Sequence, residues 1–455
     1  MSWQKVKLKE VLKQYRVEHI VQDTVEYKQV SILNDGSVVL RGSKIGKEIG
    51  RKRQFIIDLK TYPETLIFTR QLLLQGSIGI ASEDVNNCIV TENMPMFSIQ
   101  TSKIDKDFLI LFLKSEVFKS RIRKIELSGS AQKSIHERTF LDLEFHIPKI
   151  EEQKEIVVEL LNLKSHSNSI STEIIHQLDL IKQLRQAFLR EAMQGKLCHA
   201  ELVSASQETG HELLAKIKVE KAQLIANKKL KKEKELPPIT SDEIPFEIPV
   251  HWAWCRLGEI LNIKSGKRIH ASDYRNEGVP FLRSGEIGSL GRGEKIKTEL
   301  FISQSKYNEV KSKFGIPKKG DVLIACIGGS IGNTWVVDER EFYYKDGNLV
   351  LIESIPNINY NYLLYYLKSP FFWNNTILNA TDSSYNALTI IKLNQSEFPL
   401  PPLHEQAQIV AKLEELMAFC EDLEQSIKES QGYNEKLLQQ VLREALQGEK
   451  MMSNG

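Results

Sequence analysis

The sequence is poor in the features of secreted, membrane-bound and zinc-binding proteins. It has five cysteines in 455 residues and no Cys-x-x-Cys pair, which argues against disulfides and zinc sites and suits a reducing cytosol. No apolar run approaches the ~20 residues that a membrane span needs. The first residues, MSWQKVKLKE, lack the apolar core of a signal peptide. We therefore expect a cytoplasmic protein with no metal site and no membrane partner.

The motifs of common catalytic sites are also missing. Gly315 and Gly320 have the spacing of a P-loop, but Asp321 and Val322 follow them in place of the Lys and Ser/Thr that reach phosphate and magnesium. This segment therefore predicts a turn before a strand. The sequence has no G-x-G-x-x-G opening a helix, no H-E-x-x-H, no G-x-S-x-G and no Asn/Asp-Pro-Pro-aromatic signature of an amino-methyltransferase. We expect no catalytic residues on this chain.

The net charge is only +2, which is low for a nucleic-acid-binding protein. Its distribution is more informative, because residues 41–53 hold six basic side chains and one acidic side chain, and residues 256–313 hold twelve basic and seven acidic. By contrast, residues 405–429 hold seven acidic and two basic side chains. The positive charge of the two basic regions is thus offset, in the net charge of the chain, by an acidic segment that is predicted to be helical. A solvated surface would explain any one of these runs, so charge alone does not predict DNA binding.

A long internal repeat is the dominant feature of the sequence. Residues 145–195 align with residues 398–448 at a constant offset of 253 without a gap. Matching pairs include Pro148 with Pro401, Glu152 with Glu405 and Gln153 with Gln406, and both copies end in Leu-Arg-Glu-Ala-x-Gln-Gly. The motif Gly-Ser-Ile-Gly at 76–79 and 329–332 repeats at the same offset and predicts tight turns. Each half therefore consists of one globular region followed by one long helix.

Both long helices carry apolar residues at alternating spacings of four and three, which predicts a coiled-coil seam. An alternative is that each helix packs only on its own globular domain. The seam residues predicted to pair are Ile156, Leu160, Leu163, Ile170, Ile174, Ile181, Leu184 and Phe188 in the first copy, and Ile409, Leu413, Leu416, Leu423, Ile427, Leu437 and Val441 in the second.

The globular halves are predicted to be mixed α/β. Short β-rich runs at 65–68, 322–325 and 348–352 lie between Gly and Asp turns. Helices are predicted at 106–114 and 360–368, and a basic helical linker at 211–235. The fold class is α/β (α+β): two domains in tandem, each followed by a long helix.

The motifs resemble those of one known family. The phrase FPLPPLHEQAQIV at 398–410 and the Leu-Arg-Glu-Ala-x-Gln-Gly helix ends are similar to conserved regions of type I restriction–modification specificity subunits. Residues 237–260, from Pro237-Pro238 to Leu257-Gly258-Glu259-Ile260, resemble the segment that leads into the second recognition domain of that family. The resemblance covers both halves and implies that the two long helices pair as an antiparallel coiled coil with pseudo-two-fold symmetry. It implies recognition domains at 1–147 and 249–400, helices at 148–195 and 401–448, a linker at 196–248 and a tail at 449–455.

The resemblance further implies a non-catalytic subunit that binds double-stranded DNA. Each recognition domain would read one half of an asymmetric bipartite target, and the paired helices would set the spacing and dock two methyltransferase subunits. ATP-dependent translocase and nuclease subunits would complete the assembly. S-adenosylmethionine, ATP and Mg²⁺ would be used by those partner subunits, and this chain would hold no cofactor.

Basic and amide side chains are the expected DNA contacts, because Lys and Arg bind phosphates and Arg, Lys, Asn and Gln read base edges. The candidates in the first half are Arg41, Lys44, Arg51, Lys52, Arg53, Gln132 and Lys133. Those in the second half are Lys264, Lys267, Arg268, Arg283, Tyr385 and Asn386.

Three alternatives to this function remain open from the sequence. The first is the specificity subunit of a methyltransferase-only or related restriction system. The second is a coiled-coil adaptor that binds only protein, and the third is a stand-alone nuclease or methyltransferase, against which the missing motifs argue.

Overall fold

The computed structural model describes residues 3–123, 134–197, 208–230, 234–345, 347–353, 356–378 and 387–447. The chain divides into two compact units. Unit 1 comprises residues 1–176 and 427–455, and unit 2 comprises residues 177–426. Each unit contains one globular region together with part of each long helix.

Unit 1 has eleven strands in its described residues. They are β1 (Gln4–Lys7), β2 (Leu12–Tyr15), β3 (Glu18–Ile20), β4 (Glu26–Ile32), β5 (Val38–Ile45), β6 (Arg53–Ile56), β7 (Thr65–Phe68), β8 (Ile78–Ile80), β9 (Ile89–Val90), β10 (Met96–Ile99) and β11 (Glu144–Ile147). The helices that begin in this unit are α1 (Leu8–Val11), α2 (Lys106–Lys114), α3 (Glu116–Arg123), α4 (Glu137–Leu141) and the long α5 (Ile150–Met193).

Unit 2 has ten strands in the part of it that the structure describes. They are β12 (Ala253–Arg256), β13 (Asn262–Ser265), β14 (Tyr274–Arg275), β15 (Val279–Leu282), β16 (Phe301–Ile302), β17 (Val322–Ala325), β18 (Thr334–Val336), β19 (Tyr343–Tyr344), β20 (Leu349–Glu353) and β21 (Glu397–Leu400). Its helices are α6 (Gly210–Ala226), α7 (Leu257–Ile260), α8 (Ser284–Gly291), α9 (Gln304–Phe314), α10 (Tyr360–Lys368), α11 (Pro370–Phe372), α12 (Ile390–Gln395) and the long α13 (Leu403–Gln447).

The same antiparallel frame occurs in both units. In unit 1 the frame is the sheet β2-β10-β7-β8 with the strand pair β1-β11, and in unit 2 it is the sheet β13-β20-β17-β18 with the pair β12-β21. Neighbouring strands of both frames run antiparallel. The repeat inferred from the helices therefore extends through the globular regions.

Apolar runs in the frame strands reflect burial on both faces of the sheet. In unit 2, Val322 and Ile324 face the core beneath α10, whereas Leu323 faces a second core. In unit 1, Leu66 and Ile67 are divided between two cores in the same way. Alternation along a strand thus gives each sheet two buried faces.

The second core of each unit belongs to an insert that differs between the units. In unit 1 the insert is a five-stranded sheet of order β3-β6-β9-β4-β5, and in unit 2 it is a four-stranded sheet of order β14-β16-β15-β19 with helices α8 and α9. Both inserts leave the four-stranded sheet of the frame after its first strand in the chain and return before its second, and each adds one further strand before the last strand of that sheet. The same two points of the frame therefore carry unlike structures.

A pair of adjacent residues, here called the Glu-Gln clamp, joins each long helix to its frame. Gln153 donates to Pro148 O at 2.9 Å and accepts from Asp105 N at 2.7 Å, while Glu152 accepts from Trp3 Nε1 at 3.2 Å. Asp105 is also the N-cap of α2, where its carboxylate accepts two backbone hydrogen bonds.

The clamp recurs in unit 2 with nearly the same distances. Gln406 donates to Pro401 O at 2.9 Å and accepts from Asn359 N, at the N-cap of α10, at 2.8 Å. Glu405 accepts from Trp252 Nε1 at 3.0 Å and also lies 2.8 Å from His251 Nε2. The matched Glu and Gln residues of the repeat are therefore structural, because the buried Gln amides satisfy backbone groups at two helix starts and the Glu carboxylates accept from Trp side chains.

Most predicted secondary structure is confirmed. The strands at 65–68 and 322–325 and the helices at 106–114 and 360–368 have the predicted bounds, and the strand predicted at 348–352 lies at Leu349–Glu353. Gly315 and Gly320 have φ of +78° and +89°, as expected for a turn before β17. The last glycine of the first repeat, Gly195, follows α5 with φ of +70°, as a C′ residue does. Its counterpart, Gly448, lies outside the described residues.

The alignment of the two Gly-Ser-Ile-Gly motifs is corrected by hydrogen bonding. Thr69 N donates to Ser77 O at 3.0 Å and Ala325 N donates to Asn333 O at 2.8 Å. Gly76 is therefore equivalent to Gly332, three residues beyond the Gly329 that the constant offset selects. Both glycines have positive φ, +101° and +80°, so this turn conformation is the shared requirement.

The linker predicted between the halves is packed onto unit 2. Leu213 and Ile217 of α6 are buried in the main core of that unit. Lys221 donates to the carbonyl oxygens of Gly258 and Leu261, the latter at 2.8 Å. Arg256, which is 3% exposed, pairs with Glu243 at 2.8 Å and Glu397 at 2.7 Å and so anchors the segment after the linker helix.

The long helices pair antiparallel inside each unit. In unit 1, Asn434 of α13 donates to Ser167 O at 3.1 Å and to Ser171 Oγ at 3.2 Å of α5, and Leu160 shares a core with Leu446. In unit 2, Arg185 pairs with Glu424 at 2.8 Å, and Leu189 shares a core with Leu413. Within each unit, the two helices therefore run in opposite directions.

Most predicted seam residues are at least half-buried. Ile170 and Leu437 are corrections, because they are 49% and 62% exposed, and the next residues, Ser171 and Leu438, occupy the seam instead. A straight helix has 3.6 residues per turn, so it drifts by about 20° per heptad from a strict 3.5-residue repeat. The remaining residues are buried (Leu160, Ile174, Ile181, Ile409, Leu413) or half-buried (Ile156, Leu163, Leu184, Phe188, Leu416, Leu423, Ile427, Val441).

Candidate nucleic-acid interface

Two of the candidate residues of unit 1 lie on the edge strand of its insert. Arg41 and Lys44 belong to β5, which pairs only with β4 and ends the five-stranded sheet. Both side chains are exposed. Within the described part of the chain, neither forms an ion pair or a side-chain hydrogen bond. Their charges are therefore available to a ligand.

Three further candidates of unit 1 are paired with carboxylates. Arg51 lies 3.2 Å from Glu92, Lys52 pairs with Asp23, and Arg53 pairs with Glu18. The bond to Glu18 raises the pKa of Arg53 above its usual value. These cations line a cavity of about 350 Å³ together with Arg16 and Gln54. Because each is neutralised by a neighbour, they present less free charge than Arg41 and Lys44.

The structure of unit 2 brings Lys264 and Lys267 to one cleft of about 540 Å³. The ammonium group of Lys267 lies 5.1 Å from the ring centroid of Phe314, a cation–π contact. Lys264 is ion-paired with Glu353 in the wall of the cleft. The remaining lining includes Lys229, Lys313, Tyr343 and Tyr344. The cleft therefore combines basic and aromatic side chains, as nucleic-acid sites do.

Lys313 and Phe314 at the end of α9 were not among the predicted contacts. They lie in or beside the basic region 256–313, but they are far in sequence from Lys267. Only the fold of the insert, which places the end of α9 over the segment after β13, makes this proximity visible. The sequence signal that could have identified them is a basic-aromatic pair followed at once by the turn glycine Gly315.

Arg268 and Arg283 do not line this cleft. Arg268 is exposed, and no ion pair or hydrogen bond of its guanidinium occurs among the residues described. Arg283 pairs with Glu286 at 2.8 Å and Glu299 at 3.2 Å, and the hydrogen bond to Glu286 is the main reason that its pKa is raised. The four other candidates, Gln132, Lys133, Tyr385 and Asn386, lie outside the described residues.

The four cysteine thiols that the structure describes are poorly suited to covalent catalysis. Cys88, Cys255, Cys326 and Cys420 are buried, and burial raises the pKa of each, to about 12 for Cys326. A thiol with such a pKa stays protonated near neutral pH, and the thiolate is the nucleophile. Among the described residues, no three His, Cys, Asp or Glu side chains converge to hold a metal ion. No described helix is long and apolar enough to cross a membrane.

Curated relatives are similar in sequence to much of the chain. The EcoAI specificity subunit of a type I restriction enzyme from Escherichia coli is 26% identical over 378 residues, which are 71% of this chain and 62% of the relative. The EcoEI specificity subunit from the same species is 30% identical over 271 residues, 58% of this chain and 43% of the relative. The chain thus spans about half the length of these curated relatives.

Solved structures support the fold. The HsdS subunit from Thermoanaerobacter tengcongensis matches with a TM-score of 0.57 at 18% identity, and the match covers 99% of this chain and 97% of that one. A chain from a type I R-M system, solved in a study of complex assembly and conformational transition, gives a TM-score of 0.61 at 19% identity, with 99% and 98% covered. At 18% and 19% identity, this similarity shows a shared fold and carries no information about function.

The family model described as "Type I restriction modification DNA specificity domain" matches residues 2–180 and 249–430. The two matched regions cover most of the chain, and each contains one frame, one insert and the start of one long helix. The chain therefore belongs to the type I restriction–modification DNA specificity family.

Proposed function

We propose that this chain is the DNA-specificity subunit of a type I restriction–modification complex and that each unit reads one half of an asymmetric bipartite DNA target. One observation carries the proposal: two equivalent frames hold, at the same two points, inserts of different structure with exposed basic side chains. Equivalent frames present equivalent surfaces, and unlike inserts recognise unlike half-sites.

The chemistry of the inserts fits recognition of a duplex. A free cation such as Lys44 contacts phosphates and makes binding depend on salt, since each neutralised phosphate releases counterions. Guanidinium and amide groups distinguish base edges in the major groove. The basic and aromatic cleft of unit 2 offers a second set of such groups through Lys267 and Phe314.

The paired helices supply the second part of the proposal. They set the spacing between the half-sites and dock two methyltransferase subunits, to which ATP-dependent translocase and nuclease subunits are added. The chain itself is non-catalytic. S-adenosylmethionine, ATP and Mg²⁺ are used by the partner subunits. The basis in this chain is the length of α5 and α13, 44 and 45 residues, and the fact that each helix contributes residues to both compact units.

The decisive experiment is methylome sequencing of cells with and without this gene, combined with a methyl-transfer assay on the purified chain. We expect a bipartite motif that is methylated only when the gene is present, and no transfer by the chain alone. Methyl transfer or cleavage by the isolated chain would reject the non-catalytic role. A methylome that is unchanged when the gene is deleted, with the methyltransferase partner expressed, would reject the specificity role.

A further inference from the structure

The two strands at the outer edge of the insert in unit 1 form a ribbon with unusual exposure. This β4–β5 ribbon comprises residues 26–45, and its strands pair antiparallel from Glu26 with Ile45 to Ile32 with Val38. Every residue of β5 after Val38 is exposed, although successive side chains point to opposite faces. The strand therefore has both faces in solvent and contributes little to the core. A strand with no core to cover is free to contact a ligand.

The ribbon carries cations without anionic partners. Lys28, Arg41 and Lys44 are exposed, and their charged groups form no ion pair or hydrogen bond within the part of the chain that the structure describes. The only carboxylate of the ribbon strands, that of Glu26, accepts a hydrogen bond from Ser43. At the start of β6 and just before it, Arg51, Lys52 and Arg53 are all paired with carboxylates. Uncompensated positive charge in this sheet is thus concentrated on the ribbon.

A β-bulge interrupts the ribbon at its most basic point. Gln29 pairs with Gly42 and Val30 pairs with Leu40, so Arg41 is the extra residue. Gly42 has φ of +130°, and a Cβ placed there would meet no atom within 4 Å. A bulge re-aims the side chain that it displaces and increases the local twist. An exposed glycine beside it lets another molecule approach the backbone closely.

We propose that the β4–β5 ribbon lies in the major groove of duplex DNA and is the specificity-determining element of unit 1. Two strands lie about 5 Å apart, and a two-stranded ribbon fits a groove about 12 Å wide. Arg41, displaced by the bulge, reads a base edge, and Lys44 contacts a phosphate. Leu40 and Ile45, which are 45% and 41% exposed, supply apolar contacts of the kind that thymine methyl groups make. This inference rests on the proposed function.

An added protein strand is the competing occupant of such an edge. Charge and backbone geometry both favour DNA. The bulge breaks the regular row of hydrogen-bonding groups that strand addition requires, and the unpaired cations complement phosphates. Protein docking is therefore treated as an outcome of the test.

The test compares two cations of the ribbon with two exposed, paired cations that lie outside the insert in the same unit. The variants are Arg41→Gln and Lys44→Gln, and their matched controls are Arg123→Gln and Lys9→Gln, which remove the same charges from positions neutralised by Glu116 and Asp142. Each full chain is co-expressed with its methyltransferase partner. The readouts are the methylated motif and the affinity for a duplex carrying the wild-type motif, measured against salt and against a random-sequence duplex of equal length.

We expect Arg41→Gln to relax or change one position in one half-site and to lower affinity for the wild-type motif by about tenfold, within the range for loss of a bidentate base contact. Lys44→Gln should weaken binding to both duplexes and reduce the salt slope by about one. The matched controls should change the motif at no position and affinity by less than about threefold, the range of a surface ion pair. All four variants should unfold at the same temperature, since each substituted side chain is exposed.

Three results would overturn the ribbon proposal while leaving the proposed function intact. In the first, the wild type methylates a bipartite motif and both ribbon variants keep its sequence and affinity. In the second, the matched controls alter the motif and the ribbon variants do not. In the third, the ribbon variants fail to assemble with the methyltransferase, which would identify the edge as a protein-docking surface. A wild-type complex with no bipartite motif would instead reject the proposed function.

Discussion

The two units agree in their frames and disagree in their inserts. The frames share strand order, N-caps and Glu-Gln clamps whose distances match to about 0.2 Å. The inserts differ in strand number, in helix content and in the placement of their basic residues. This contrast indicates that stability and recognition are assigned to separate parts of each unit. An insert can change without disturbing a hydrogen bond of the clamp.

The largest expected effect comes from exchanging one insert. Replacement of residues 16–64 and 81–95, which hold β3–β6 and β9, by the equivalent segments of a relative should abolish recognition of one half-site. The other half-site and the spacing should not change, because the frame and helices keep their contacts. Methylome sequencing of cells carrying the chimera measures this. If both half-sites changed together, the division between frame and insert would be wrong.

The next effect concerns the buried amides of the clamps. Gln153→Leu and Gln406→Leu each leave one backbone N–H and one carbonyl buried without a partner. Each change should lower the free energy of unfolding of its own unit by about 2–4 kcal/mol, since an unsatisfied buried group costs about 1–3 kcal/mol. Urea denaturation followed by tryptophan fluorescence is the measurement.

The exposed Gln439 provides the matched control for both clamp variants. Gln439→Leu makes the same chemical change on α13 without orphaning a buried group and should stay within about 0.5 kcal/mol of the wild type. A large loss at Gln406 with none at Gln153 would show that the two clamps are unequal despite their geometry.

The polar contacts between the helices should respond in opposite directions in the two units. Asn434→Leu replaces a seam amide by an apolar side chain, and we expect the free energy of unfolding to rise by up to about 1 kcal/mol while helix register becomes less specific. Arg185→Leu removes the half-buried ion pair between Arg185 and Glu424 and should lower stability by about 1 kcal/mol. Denaturation and light scattering, which detects mispaired oligomers, measure both. Equal losses in the two variants would contradict this view.

The smallest expected effect concerns Glu243, whose ion pair with Arg256 anchors the segment after the linker helix in unit 2. The backbone N–H of Thr240 and the guanidinium of Arg256 lower the pKa of Glu243 from 4.5 to about 2. The folded pKa is the lower one, so the carboxylate stabilises unit 2 fully above pH 4.5 and loses this contribution as pH falls from 4.5 to 2. Because Glu243 is 36% exposed, we expect less than about 1 kcal/mol.

Comparison of Glu243→Gln with the wild type isolates this contribution. The variant should be slightly less stable at pH 7 and equally stable near pH 2, as measured by denaturation across that range. A stability difference that stays constant with pH would mean that the carboxylate charge is not the stabilising group.

The frame could be predicted from the sequence because its signals are local. The strand at 65–68 and the helix at 106–114 need only hydrophobic pattern and turn residues, and the repeat supplies each a second time. The inserts could not be predicted, because short strands such as Tyr274–Arg275 and Tyr343–Tyr344 pair across long separations. The prediction that Ile170 lies in the seam was wrong, because the spacing of apolar residues gives only the average period of the helix. Side-chain packing determines which residue contacts the other helix.

The candidate site was predicted only in part for a related reason. Composition identified the basic residues but not their partners, so Arg41 and Arg53 looked alike in the sequence. Ion pairing with Glu18, 35 positions away, depends on strand register in the insert. The cleft residue Phe314 was missed because nothing local connects it to Lys267.

The bulge in β5 also bears on how the protein behaves at high concentration. An exposed edge strand with apolar residues such as Leu40 and Ile45 is a template for pairing with the same strand of another copy and hence for aggregation. The extra residue at Arg41 interrupts the hydrogen-bonding row, and the charges of Arg41 and Lys44 repel an identical edge. A regularised strand lacking the bulge would therefore pair with itself more readily than the strand of this protein does.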